Sequence, residues 1–128
     1  LCVVSDDRLL VDTNIIIFFV FEGNSKAMRR LLGRSITVSV LTRMELYAAP
    51  GITKDGTAWV DGFLSHCEEV PLLRAVQDEA VRIRRTYRLE MVDAIIAATA
   101  IIKSLPLITA DKAIMALSRE HDVRLFER

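Results

Sequence analysis

Short apolar runs alternate along the chain with longer segments whose apolar positions recur every three or four residues. Arg8–Val11 leads through Leu9, Leu10 and Val11 into Asp12-Thr13-Asn14, the pattern of a strand buried on both faces. Ile15–Phe21 stays apolar and reads as a helix behind that strand, although its β-branched residues also suit a strand. Asn24-Ser25 offers a cap for a helix over Lys26–Leu32, which Gly33 stops. Ile36–Val40 predicts a second strand by β-branching and alternation. Thr42 and Glu45 have the spacing of a capping box, for a helix that passes through Leu46 and Tyr47 and ends before Pro50-Gly51. Thr53–Leu64 predicts another helix. Glu69–Leu72 predicts a short strand that its proline confines to an edge or a strand start. Leu73–Tyr87 is amphipathic, with Val76, Ala80, Ile83 and Tyr87 on one face and arginines on the other. Met91–Lys103 is nearly all apolar and rich in alanine, so it predicts a buried helix with close neighbours. Leu107–Thr109, Lys112–Arg119 and Val123–Phe126 complete the series as strand, helix and strand.

Strands separated by helices, with no hairpin signals, predict an α/β fold: a mostly parallel sheet of four to five strands with helices on both faces. With 128 residues, 52% of them hydrophobic, the chain has enough apolar material for one domain with a core. No linker, low-complexity stretch or repeat divides it. Residues 1–7 read as an extension ahead of the domain, and no function is assigned to them. The longest apolar runs, Ile15–Phe21 and Ala94–Ile102, fall short of the roughly 20 residues of a membrane span. No basic segment leads into an apolar run at the start, so no signal peptide is expected. Cys2 and Cys67 lack metal-site spacing and read as two reduced thiols of a cytoplasmic protein.

In parallel sheets, sites form beyond the carboxyl ends of the strands. Four acids fall there. Asp12 follows the first strand, Glu45 lies on the helix after the second, Asp93 begins the alanine-rich helix, and Asp111 comes two residues after Thr109. Each has an ordinary explanation. Asp93 and Asp111 can cap helices, Glu45 can close a capping box, and Asp12-Thr13-Asn14 can make a turn. Four at matching strand ends require four separate coincidences, whereas one shared site explains them together. Clustered carboxylates without nearby His or Cys suit Mg2+ or Mn2+, and their mutual repulsion calls for such a cation. That equipment fits metal-assisted phosphodiester hydrolysis. His66 and His121 lie outside these segments and read as surface or structural residues.

The formal charge is zero, with 17 Lys and Arg against 17 Asp and Glu. Gathering four acids in one site leaves the rest of the surface with more bases than acids. Arg29, Arg30 and Arg34 form one basic cluster, and Arg82, Arg84, Arg85 and Arg88 another. Helical arginines ordinarily make a solvated face; contact with phosphate, above all at Arg29, Arg30, Arg82 and Arg85, is the alternative.

The segments Leu9–Asn14, Thr42–Leu46, Val92–Ala100 and Leu107–Asp111 occur in an order that resembles a PIN-domain nuclease. Within that group they resemble a VapC-type toxin of bacterial toxin–antitoxin modules. The resemblance spans nearly the whole chain from Leu9, and its most specific part is the Asp93 segment with its alanine-rich helix. It implies a three-layer α/β/α sandwich and an endoribonuclease dependent on Mg2+ or Mn2+, usually a homodimer. Asp12, Glu45, Asp93 and Asp111 match the family's acidic quartet, with Thr13 and Asn14 supporting the first acid and Thr109 orienting the fourth acid or the metal's water. It also implies a cognate small antitoxin whose C-terminal segment covers the acidic site while its N-terminal half binds operator DNA. One departure is that many relatives carry a further acid or a histidine, then an aromatic residue, soon after the fourth acid. Lys112-Ala113-Ile114-Met115 offers neither here.

Other classes fit less well. A haloacid-dehalogenase-type phosphatase also places an aspartate after its first strand, but needs a second one two residues on, where this chain has Asn14. A PIN-like scaffold that binds RNA or protein without cutting has no need of an intact quartet. A nuclease of RNA processing rather than growth arrest shares every feature above.

Overall fold

The computed structural model describes residues 7–128, so Cys2 and most of the expected N-terminal extension lie outside the described residues. Asp7 already belongs to the fold, its carbonyl accepting from the Ser35 N–H at 2.8 Å. In chain order the elements are β1 (Arg8–Val11), α1 (Thr13–Val20), α2 (Ser25–Leu31), β2 (Ser35–Ser39), α3 (Val40–Tyr47) and α4 (Lys54–Leu64). They continue with β3 (Glu68–Val70), α5 (Arg74–Tyr87), α6 (Met91–Ile102), β4 (Leu107–Thr109), a 3-10 helix (Lys112–Arg119) and β5 (Val123–Leu125).

The five strands form one sheet in the order β3-β2-β1-β4-β5, and every neighbouring pair is parallel. The first strand is central. The chain builds outward from it on one side through β2 and β3, then returns to lay β4 and β5 on the other. This reversal between β1 and β4 opens a crevice beyond their carboxyl ends, where open α/β sheets place their ligands. Register pins both lips: Leu10 stands opposite Leu107, Val11 opposite Ile108, and the Asp12 N–H donates to the Ile108 carbonyl at 2.9 Å.

Alternation along the strands divides the core in two. Leu10 and Leu107 face a cluster with Val76, Ala80 and Ile83 of α5 and with Ala94, Ala97 and Ala98 of α6. Leu9, Val11 and Ile108 face the other cluster, with Ile15, Ile16, Ala27, Leu46 and Val60. Helices therefore cover both faces, which is the expected three-layer α/β/α sandwich. Alanines on α6 present little bulk, so α5 and the sheet pack closely around it. No helix among the described residues is long and apolar enough to cross a membrane.

Local expectations shift in four places. Helix α1 begins at Thr13, earlier than the apolar run suggested, because Asp12 has extended backbone and caps it. Helix α3 begins at Val40 with Ser39 as its cap, the Ser39 hydroxyl accepting from the Leu41 N–H at 3.1 Å. Thr42 is therefore inside the helix and fully buried, and the capping-box reading of Thr42 and Glu45 is wrong. Strand β3 ends at Val70, since Pro71 has no N–H to continue the ladder, and it does occupy an edge. The segment after Asp111 is a 3-10 helix, whose three-residue repeat stacks buried Ile114 and Leu117 on one side.

Candidate active site

Asp12 is held by the backbone that delivers it. Only 5% exposed, it sits at the end of the central strand with both carboxylate oxygens engaged. One oxygen accepts from the Thr13 N–H at 2.8 Å, and the other accepts from the Thr109 hydroxyl at 2.7 Å. The helix cap is thus real but uses one oxygen only; the second bond crosses the crevice from β4. Burial raises the Asp12 pKa above its ordinary value. The bonds from Thr109 and Thr13 oppose that rise, and the charges of Glu45 and Asp111 add to it.

Glu45 reaches the same place from α3. Its residue is exposed, yet its carboxylate accepts from the Thr13 hydroxyl at 2.6 Å. That hydroxyl also contacts the Thr42 hydroxyl at 3.0 Å. Asp111 enters from the end of β4. Its N–H donates to Thr109 Oγ1 at 3.0 Å, and its carboxylate accepts from the Ala113 N–H at 2.9 Å, capping the 3-10 helix. Thr109, fully buried, therefore ties together the first and fourth acids. Asn14 is exposed on the first turn of α1, outside this set of bonds.

Asp93 lies in the first turn of α6, behind Glu90, whose side chain makes no capping bond. Its pKa is pushed up to about 6. Burial contributes most, followed by the charges of Asp12, Asp111 and Glu45 and a hydrogen bond with Asp111. A helix N-terminus alone would lower a carboxylate's pKa. The opposite shift comes from burial first and from the charges of the other three acids second, so Asp93 lies within the field of Asp12, Asp111 and Glu45.

These donors are oxygens only, negatively charged and partly dehydrated, a set suited to a hard divalent cation. Among the described residues, no three or more His, Cys, Asp or Glu side chains are grouped closely enough to hold a metal ion directly. Mg2+ itself needs no such grouping, because it keeps several waters and takes one or two carboxylates directly.

A family model for the PIN domain matches residues 9–120. The chain belongs to the PIN-domain family. Membership places it among nucleases, the coarse activity to which the acids at the strand ends already pointed. This PIN domain superposes on a toxin–antitoxin complex from Klebsiella pneumoniae with a TM-score of 0.81 and 28% identity, covering 94% of this chain and 99% of that one. Two more distant structures show the same fold. A VapBC complex from Rickettsia felis bound to a promoter DNA fragment gives a TM-score of 0.76 at 16% identity, over 94% of this chain and 99% of that one. A DNA-bound VapBC from Salmonella typhimurium gives 0.75 at 23%, over 93% and 96%. A comparison with curated protein sequences found no match.

Among the described residues no ion pair joins the clustered arginines to Asp12, Glu45, Asp93 or Asp111. Arg29 and Arg30 line a shallow depression with Lys26, Leu125, Phe126 and Glu127. Burial, then the nearby Arg34 and Arg124, lower the Arg30 pKa, which marks a concentration of positive charge. Arg82 is already paired with Glu79 and Glu120, each at 2.6 Å, while Arg85 is exposed on α5. His121 is structural, its ring bonded to the Leu105 carbonyl at 2.6 Å, and His66 is exposed. Thr42 is the residue that the sequence reading misplaced. Its signal was a hydroxyl directly after the apolar pair Val40-Leu41 and three positions before an acid.

Proposed function

We propose that this PIN domain is an endoribonuclease, dependent on Mg2+ or Mn2+, that acts as the toxin of a toxin–antitoxin pair in the cytoplasm. What supports the reading is the grouping at the β1–β4 crevice: Thr109 bonds both Asp12 and the Asp111 backbone, Thr13 bonds Glu45, and the charges of these three acids add to burial in raising the Asp93 pKa to about 6. These four acids would hold the cation. When bound, it supplies positive charge to polarise a phosphoryl oxygen and to ease the loss of a proton from water. The rest is positioning by the chain. Thr109 fixes Asp12 and the backbone of Asp111, and Thr13 holds Glu45. Asn14 would support the first acid from the exposed turn of α1. Arg29, Arg30 and Arg85 offer charge for an RNA backbone. Arg82 is the weakest of that group, since an RNA phosphate would have to displace two carboxylates.

Assignment of a toxin role rests on the likeness to the Klebsiella pneumoniae toxin–antitoxin complex; the family resemblance adds a small antitoxin that covers the acids and a homodimeric toxin. An apolar cavity of about 1000 Å³ between α2 and α4 is consistent with a protein partner. Phe19, Met28, Leu32, Trp59 and Phe63 line it, and Leu32 and Trp59 are 62% and 67% exposed. Apolar surface of this kind marks interaction sites.

The test is cleavage of a total cellular RNA pool by purified protein with Mg2+, with Mn2+ and with chelator, beside Asp93→Asn. Metal-dependent cuts that vanish in the variant are expected. A folded, metal-binding protein that makes no cuts would replace this reading with a domain that binds without cutting, once co-purified inhibitor has been removed.

A further inference from the structure

Two hydroxyls and a carboxylate form a chain at the base of the site. Thr13 Oγ1 lies 2.6 Å from a Glu45 carboxylate oxygen and 3.0 Å from Thr42 Oγ1. A threonine hydroxyl has one hydrogen to donate. Thr13's hydrogen goes to Glu45, because a bond to a charged acceptor is the shorter and stronger of the two. The 3.0 Å contact must then be filled by the Thr42 hydrogen, with Thr13 accepting. Thr42 is fully buried and Thr13 is 5% exposed, so water does not compete for either position.

Resting on the proposed metal site, we infer that Thr42 is a positioning residue for metal binding: its hydroxyl donates to Thr13 and thereby commits Thr13's proton to Glu45. The purpose follows from where Glu45 sits. It is the one exposed acid of the four, on a flexible side chain with many rotamers, and freezing those rotamers costs free energy. Thr13 alone is a weak anchor because its hydroxyl can rotate. Donation from a buried residue fixed within α3 removes that freedom. The relay also joins two elements, α1 and α3, so the spacing of Asp12 and Glu45 is set by a polar contact as well as by packing. One carboxylate oxygen of Glu45 is occupied by Thr13, which leaves the other for a cation.

The experiment uses the whole chain and measures Mn2+ affinity by calorimetry, beside the turnover of RNA. Thr42→Val keeps the shape and removes the donor, whereas Thr42→Ser keeps the donor. Loss of a partner behind a metal ligand typically costs about 10–100-fold in affinity. Thr42 acts through an intermediary, so roughly 3–10-fold is expected for Thr42→Val, with Thr42→Ser within about twofold of the unaltered chain. In a Thr13→Val background, Thr42→Val should add nothing, because the route to Glu45 is already cut. An unchanged Mn2+ affinity in Thr42→Val overturns the relay. So does an equal loss in Thr42→Ser, or an equal loss in both backgrounds, since either outcome assigns Thr42 to packing alone. Failure of the unaltered chain to bind Mn2+ overturns the metal reading and the relay with it, whereas Mn2+ binding by the unaltered chain with no loss in Thr42→Val overturns the relay alone.

Discussion

Asp93→Asn separates the needs of the site from the needs of the fold. Asparagine stands in for the protonated acid, at nearly the same size and without its charge. In the folded protein Asp93 keeps its proton up to about pH 6, against an ordinary value of 3.8. At ~1.4 kcal/mol per pH unit, that difference corresponds to about 3 kcal/mol at neutral pH. Asp93 is partly exposed and solvent screens its neighbours' charges, so the effect is discounted to about 1–2 kcal/mol. The sign is set by proton counting. Between pH 3.8 and 6 the folded chain binds more protons than the unfolded one, so metal-free stability falls as pH rises through that window and stays low above it. Asp93→Asn should therefore be more stable than the unaltered chain in chelator at pH 7.5, by roughly 3–10 °C in melting temperature. Near pH 3.5, where Asp93 is largely protonated whether folded or unfolded, most of that advantage should vanish. Thermal melts in EDTA at both pH values measure it. A variant that melts lower at pH 7.5 would refute the reasoning. It would mean that the carboxylate is stabilised as an anion by the start of α6, which makes Asp93 a structural cap.

The remaining predictions concern other parts of the molecule. Mn2+ at 100 times its dissociation constant should stabilise the chain by about 2.7 kcal/mol, and chelator should reverse it; no shift would remove the metal site. Thr109→Val deletes the donor to buried Asp12 and should cost about 1–3 kcal/mol in urea unfolding, with weaker metal binding; a neutral result would show that Asp12 finds another donor. Leu32→Glu on the α2–α4 cavity should leave RNA cleavage unchanged and weaken antitoxin binding by at least tenfold; equal antitoxin affinity would place the partner elsewhere.

What the sequence determined by itself was local chemistry and its order. Short apolar or β-branched runs, most of them followed by an amphipathic or alanine-rich segment, predict strand–helix alternation, and the lack of hairpin signals predicts a mostly parallel sheet. The four acids were legible because carboxylates are rare in such apolar surroundings; Asp12, Glu45 and Asp111 come after strands, at the carboxyl edge of a parallel sheet, whereas Asp93 follows a helix and reaches that edge only through the packing of α6. Helix starts were less legible. A serine at position 39 and a threonine at 42 are both good caps, and the choice between them depends on where β2 stops pairing with β1 and β3. Only the tertiary structure decided that, and with it the burial of Thr42 against Thr13, 29 residues away. The strand order was likewise hidden. Nothing local records that β4 lies beside β1, because the pairing comes from how α5 and α6 fold back over the sheet. That reversal creates the crevice, brings Thr109 to Asp12 across 97 residues, and turns four separate acids into one interacting set. Periodicity is written along the chain, but distances between remote hydroxyls and carboxylates exist only once the core has closed.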